Sequence, residues 1–186
     1  MKEIYVKDIM IPLSDYATVS DKANLMEALR SLEITNKRFG DSPYRHRAVL
    51  VVDNNGQVIG KVSQLDIIRA LEPNYQKIGN DVSLSRFGFS REFMNAIAKQ
   101  YQLWEQSLES MIKIAEETMV TEVMYSPTDH QIVSDSDTLF VANHHLVMGQ
   151  HSSLLVTTGK SKKIIGILRS TDAFNALYDI LVKSES

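Results

Sequence analysis

Val6-Lys7-Asp8-Ile9-Met10 returns later in the chain as Val120-Thr121-Glu122-Val123-Met124, a displacement of 114 residues (6 to 120). The same displacement carries Asp15 to Asp129, Val19-Ser20 to Val133-Ser134 and Leu25 to Leu139. Further along, Gly60 returns as Gly166, Asp66 as Asp172 and Leu71 as Leu177, now displaced by 106 (60 to 166). The chain therefore holds two copies of one unit, the first longer by eight residues (114 against 106) between its halves. A duplicated unit predicts two half-cores that bury their faces on each other, with clefts at the pseudo-symmetric seam.

Working outward, Tyr16 to Val19 reads as a short strand, and Ser20-Asp21 as the start of a helix whose residues Leu25, Ala28, Leu29 and Leu32 share one face. Arg47 to Val52, apolar from Ala48 onward, is a run of the kind found in strands covered on both faces. Asp53-Asn54-Asn55-Gly56 is a turn signal, Gln57 to Val62 a returning strand, and Leu65 to Leu71 a helix stopped by Pro73. The second copy repeats the order at Gln131–Val133, Leu139–Met148, Ser153–Thr157, Ile164–Leu168 and Ser170–Leu181. Its turn contains Gly159-Lys160-Ser161, but a phosphate-binding P-loop needs glycine where Leu154 stands and a helix where a strand follows. The predicted class is α/β: two β-α-β-β-α units related by a pseudo-twofold, spanning 1–71 and 120–186.

Residues 72–119 belong to neither copy. Pro73 to Gly88 reads as irregular connection. From Arg91 to Met119, apolar residues at Phe93, Ile97, Tyr101, Trp104, Leu108, Met111, Ala115 and Met119 recur every three or four positions. That spacing predicts one long amphipathic helix, roughly 40 Å at 1.5 Å per residue, with Ser90 as its N-cap. Its apolar stripe packs either on the repeats or, around Trp104, on a second copy or a partner.

The chain has 186 residues, 44% of them hydrophobic and 23% charged, with a net charge of −3 and a pI near 5.9. No global basic field attracts nucleic acid. The absence of cysteine removes disulfides, thiol nucleophiles and thiolate metal sites together. No apolar run approaches the ~20 residues of a membrane span, and Met1 to Ile4 lacks a signal-peptide core. The expectation is a soluble, cytoplasmic protein.

Each unit resembles a CBS domain, and the pair resembles the tandem CBS (Bateman) module. The residues that carry the resemblance are the leading Val-x-Asp/Glu-Ile/Val-Met, the β-α-β-β-α order and a closing Gly-x-x-Ser/Thr-x-x-Asp. The resemblance covers about 6–71 and 120–181. Gly60-Lys61-Val62-Ser63-Gln64-Leu65-Asp66 matches the closing signature fully, whereas the second copy puts Arg169 where Ser or Thr belongs.

Such modules bind adenosine-containing ligands and regulate an attached or partner protein. By resemblance, Ser63 at the strand-to-helix junction is the phosphate residue and Asp66, one turn on, the ribose residue. A hydroxyl beside free helical N–H groups suits an anion, and a carboxylate accepts from two hydroxyls at once. The alternative is that Ser63 and Asp66 are only a capping pair. Tyr44-Arg45-His46-Arg47, just before the second strand, is expected near the cleft mouth, where Arg45, His46 and Arg47 would hold phosphates; a solvated basic loop is the alternative. The eight extra residues fall around Asn36 to Pro43, beside this segment. Asp15, Tyr16 and Ala17 are expected to face the adenine. A possible second site has Arg169, Ser170 and Asp172, with Arg169 either reaching a phosphate or blocking the cleft.

Nothing in the pattern points to catalysis. His144 and His145 are adjacent on a predicted helix and point about 100° apart, a poor metal pair, and no His-Glu-x-x-His spacing exists. The expected function is a regulatory, non-enzymatic module that senses an adenine nucleotide, AMP or ATP foremost, and signals to a protein effector. It would work as a homodimer, with no further cofactor. The alternative is an interaction scaffold that has lost its ligand.

Overall fold

The computed structural model describes residues 3–38, 45–78, 89–159 and 163–183. The first repeat runs β2 (Thr18–Ser20), α1 (Leu25–Arg38), β3 (Ala48–Val52), β4 (Val58–Ser63) and α2 (Gln64–Ala70). The second runs β5 (Ile132–Ser134), α6 (Leu139–Gly149), β6 (Ser153–Thr157), β7 (Ile164–Arg169) and α7 (Ser170–Lys183). Each sheet joins its first two strands in parallel, across a helix, and its last two as an antiparallel hairpin. The α/β class and the repeated β-α-β-β-α order are those the sequence predicts. In the first hairpin, Asp53 Oδ1 accepts the N–H groups of Asn55 and Gln57, both at 2.8 Å, while Gly56 takes the positive φ of 71° that the turn requires.

The segments leading into the two repeats are exchanged. Before the first repeat come β1 (Ile11–Pro12) and a 3₁₀ turn at Leu13–Asp15, and β1 pairs with β7 of the second repeat. The N–H groups of Val6 and Lys7 bond the carbonyls of Asp137 and Asp135, and Val6 lies fully buried in the second repeat's core. Reciprocally, Val120 opens the short α5 (Val120–Val123) and is buried in the first repeat's core, where its N–H bonds the Ala23 carbonyl. Tyr125 and Lys61 exchange backbone bonds of 3.0 Å.

This exchange explains the signature glycines. A Cβ on Gly60 would run into the Met124 side chain, and one on Gly166 would lie 2.5 Å from the Ile11 carbonyl oxygen. Each glycine is therefore the space through which the other repeat's leading segment passes. A third cluster, made of Tyr16 and Leu50 with Leu155, Ile164 and Ile167, fills the seam between the sheets.

The insertion departs from the prediction of one long helix. Its described residues hold a 3₁₀ helix at Pro73–Ile78 and two α-helices, α3 (Arg91–Gln100) and α4 (Leu108–Glu117), the latter two separated by a turn in which Gln102 and Trp104 adopt positive φ of 51° and 64°. The apolar period runs through this turn, but the polar residues break it. Ser107 Oγ caps α4 by accepting from the Ser110 N–H at 3.2 Å. The carboxylate of Glu72, 1% exposed, accepts the Trp104 N–H at 2.5 Å and the Asn74 N–H at 3.0 Å. The Gln106 amide donates to the Leu71 carbonyl, and Trp104 Nε1–H donates to the Tyr75 hydroxyl at 3.2 Å. Ser90 caps α3 as predicted. Helix α4 packs on α1, which settles where that part of the stripe goes.

Glu72→Ala strips a buried acceptor from two backbone N–H groups, each costing about 1–3 kcal/mol when left unsatisfied. The expected result is earlier proteolysis near residues 101–107 together with a lower melting temperature. Unchanged cleavage would show that Glu72 does not hold the turn. No described helix is long and apolar enough to cross a membrane.

Candidate ligand-binding cleft

A cleft with about 470 Å³ of empty space, part of it open to solvent, lies on the seam. The first repeat contributes Tyr16, Arg45, Arg47 and Ala48, and the second Ser152, Ser153, Arg169, Ser170 and Thr171. Its position follows from the strand ends. Tyr16 stands where the leading segment enters β2, Arg45 and Arg47 just before β3, Ser152 just before β6, and Arg169 at the handover from β7 to α7. Ser170 and Thr171 form the first turn of a fourteen-residue helix, where the Ser170 N–H bonds the Ser152 carbonyl at 2.9 Å and the positive end of the helix dipole meets three guanidinium groups. The charge gathered there suits an anion.

The wall behind the arginines is aromatic. The Tyr16 and His46 rings stack at a tilt, with centroids 4.5 Å apart, and both residues are buried. Burial pushes the Tyr16 hydroxyl up to about 12, with Arg169 pulling against it, so the phenol stays protonated. His46 is expected from the sequence as a phosphate ligand, but only 5% of it is exposed and burial, followed by the charge of Arg169, lowers its pKa. It packs behind Tyr16 and is not among the residues that line the cleft. Asn36 holds its backbone by accepting the His46 N–H at 2.7 Å and donating to its carbonyl at 3.3 Å.

Arg169 lines the cleft and is held from behind by Asp172, which does not itself line it. Arg169 Nε–H donates to Asp172 Oδ2 at 2.7 Å and Nη2–H to Oδ1 at 2.6 Å, a bidentate pair whose side chains are 12% and 14% exposed. The corresponding residues of the first repeat behave differently. Ser63 donates to Asp66 Oδ2 from its N–H at 2.8 Å and its hydroxyl at 2.6 Å, while Asp66 N–H returns a 3.3 Å bond to Ser63 Oγ. This is a complete capping box at the start of α2.

The expected site residues are thus divided between two places. Tyr16, Arg45 and Arg47 join Arg169 and Ser170, the residues of the possible second site, rather than Ser63 and Asp66. The reason is topological, because the leading segment of each repeat crosses to the other. Asp15 ends the 3₁₀ turn and accepts a 3.4 Å bond from Ser14 Oγ, while Ala17 is buried in the first core with its carbonyl bonded to the Leu50 N–H. Tyr44 lies outside the described residues.

Ser63 and Asp66 instead stand with Lys61, whose Nζ donates to Ser153 Oγ at 3.0 Å and whose pKa burial lowers while Asp66 opposes the shift. On this side the place of Tyr16 is taken by His130, stacked 5.5 Å from His151. Ala48 and Ser153, missed as site residues by the sequence reading, are found once β3 and β6 are placed.

Burial also lowers the pKa of His151, with His130, Lys61 and His145 adding to the shift. Depressed folded-state values mean that the unfolded chain takes up more protons as pH falls. Stability present above about pH 6.5 is therefore lost below it. The melting temperature should fall between pH 7.5 and 5.5, less steeply in His46→Phe. Identical slopes in the two proteins would contradict the assignment to His46.

The CBS-domain family model matches residues 6–73, and the chain as a whole has the fold of CBS-pair proteins. CBSX2 from Arabidopsis thaliana, a CBS-pair protein, is 20% identical with a TM-score of 0.61, the match covering 97% of this chain and 98% of that one. A structure of CBSX2 in complex with AMP gives 21% identity, a TM-score of 0.59, and coverage of 95% and 98%. A CBS domain-containing protein from Bacillus anthracis is 19% identical with a TM-score of 0.61, covering 95% and 94%. No curated protein matches the chain.

Proposed function

We propose that this protein is a regulatory module that senses an adenine nucleotide of the AMP, ADP or ATP class in the cleft between its repeats and passes occupancy to a partner protein. The observation that carries the reading is the convergence of Arg45 and Arg47 from one repeat with Arg169 and the start of α7 from the other. Phosphate held there touches both repeats at once, so binding favours one relative arrangement of the two sheets over others. The AMP complex of CBSX2, a protein of the same fold, supports the choice of ligand class. On this reading the nucleotide is a regulatory ligand rather than a cofactor, and the module is not an enzyme.

Thermal-shift titration with AMP, ADP, ATP, S-adenosylmethionine and NADH tests it. A ligand at 100 times its Kd adds about 2.7 kcal/mol to the native state, a clear shift. No response to any of the five would favour the second reading, an interaction scaffold. That reading draws on the Arg169–Asp172 pair, which already occupies the carboxylate expected to read ribose.

The module is further proposed to act as a homodimer. Helix α6 carries no Asp, Glu, Lys or Arg and leaves Phe140, Val147 and Met148 at least 67% exposed, beside Phe174 and Leu181 of α7. A charge-free face suits its own twofold copy because no like charges meet. Light scattering after size exclusion should give twice the chain mass, and the single-chain mass for Phe174→Glu. A monomeric parent at micromolar concentration would overturn the assignment.

A further inference from the structure

We infer that Arg169 and Asp172 form a latch that makes the cleft select its ligand by phosphate number. The inference rests on the nucleotide reading above and deepens it. The Asp172 carboxylate is engaged on both oxygens by the Arg169 guanidinium, at 2.7 and 2.6 Å, in a site that is largely screened from water. A ribose diol can reach Asp172 only if Arg169 leaves it.

For adenosine that exchange is unfavourable. Two neutral hydroxyl bonds replace a bidentate ion pair, and adenosine brings no anion in exchange for the carboxylate that the guanidinium gives up. A phosphorylated ligand changes the balance, because Arg169 moves from carboxylate to phosphate and remains paired while Asp172 turns to the ribose. Arg45 and Arg47, both exposed at the cleft mouth, add partners for further phosphates. The first repeat has no such latch: Ser63 occupies the place of Arg169 and simply caps its helix through Asp66.

The latch predicts that one substitution moves two ligands in opposite directions. Arg169→Ser recreates the Ser-x-x-Asp arrangement that the first repeat already folds with, so a folded variant is expected. Calorimetry of adenosine, AMP, ADP and ATP on the full chain reads the result. In the parent, affinity should rise about tenfold or more with each added phosphate, the size of one charge-assisted hydrogen bond. In Arg169→Ser, adenosine should bind about tenfold or more tightly than to the parent, while ATP binds about tenfold or more weakly.

Two outcomes would overturn the latch alone. A parallel loss for every ligand would make Arg169 a structural residue, and a parallel gain would make it a simple obstruction. Failure of both proteins to bind any of the four compounds would overturn the nucleotide reading, and the latch with it.

Discussion

Gly166→Ala is expected to be strongly destabilising, while Gly60→Ala costs markedly less. A Cβ at Gly166 meets the carbonyl oxygen of Ile11 at 2.5 Å, and that oxygen belongs to the backbone of β1, which is hydrogen-bonded to β7 at this point. Relief requires β1 to move, and with it the segment that carries buried Val6 into the second core. Overpacking of this kind costs about 2–3 kcal/mol. For a chain of this size that lowers the melting temperature by roughly 4–12 °C. At Gly60 the obstacle is the Met124 side chain, whose thioether can rotate away. Thermal unfolding of the two variants side by side checks the difference, and equal losses would contradict it.

The second large effect concerns binding. The double variant Arg45→Glu/Arg47→Glu is expected to lose more than about a hundredfold in affinity for ATP, with an unchanged melting temperature in the absence of ligand. Both side chains are exposed and line the cleft. Each arginine–phosphate contact contributes about 1.5–3 kcal/mol, and reversal replaces two attractions by two repulsions. Because neither residue supports the core, the folded state should be indifferent to the change. Calorimetry and thermal unfolding read the two halves separately, and a preserved ATP affinity would place the phosphates elsewhere.

The repeated fold is legible in the sequence because its signals are local. The apolar run at Ala48–Val52, the Asp53–Gly56 turn and the Gly-x-x-Ser-x-x-Asp junction each fix a nearby element, and their recurrence fixes the order. The break in the insertion escapes that reading. Trp104 and Leu108 continue the apolar period, whereas the turn between them is held by Glu72, thirty-two residues from Trp104. The binding cleft escapes it for a related reason. Tyr16 and Arg47 lie in the same repeat as Ser63, yet the exchange of leading segments carries Tyr16 to Arg169.

The glycines of the signature hold the missing information. Gly60 and Gly166 report that some backbone or side chain passes close to β4 and β7, and Met124 and Ile11 are what pass. The capping box of Ser63 and Asp66 also changes one expectation. Asp66→Ala removes an acceptor from two Ser63 donors and should lower the melting temperature of the ligand-free protein, where a pure ligand contact would leave it unchanged.

The central claim is that a nucleotide bridges the two repeats at the arginine cleft. A crystal structure of the protein grown with ATP tests it most directly. The account predicts phosphates on Arg45, Arg47 and the N-terminus of α7, the Arg169 side chain moved from Asp172 to a phosphate, and the ribose on Asp172. Nucleotide seated against Ser63 and Asp66, with the Arg169–Asp172 pair intact, would contradict it.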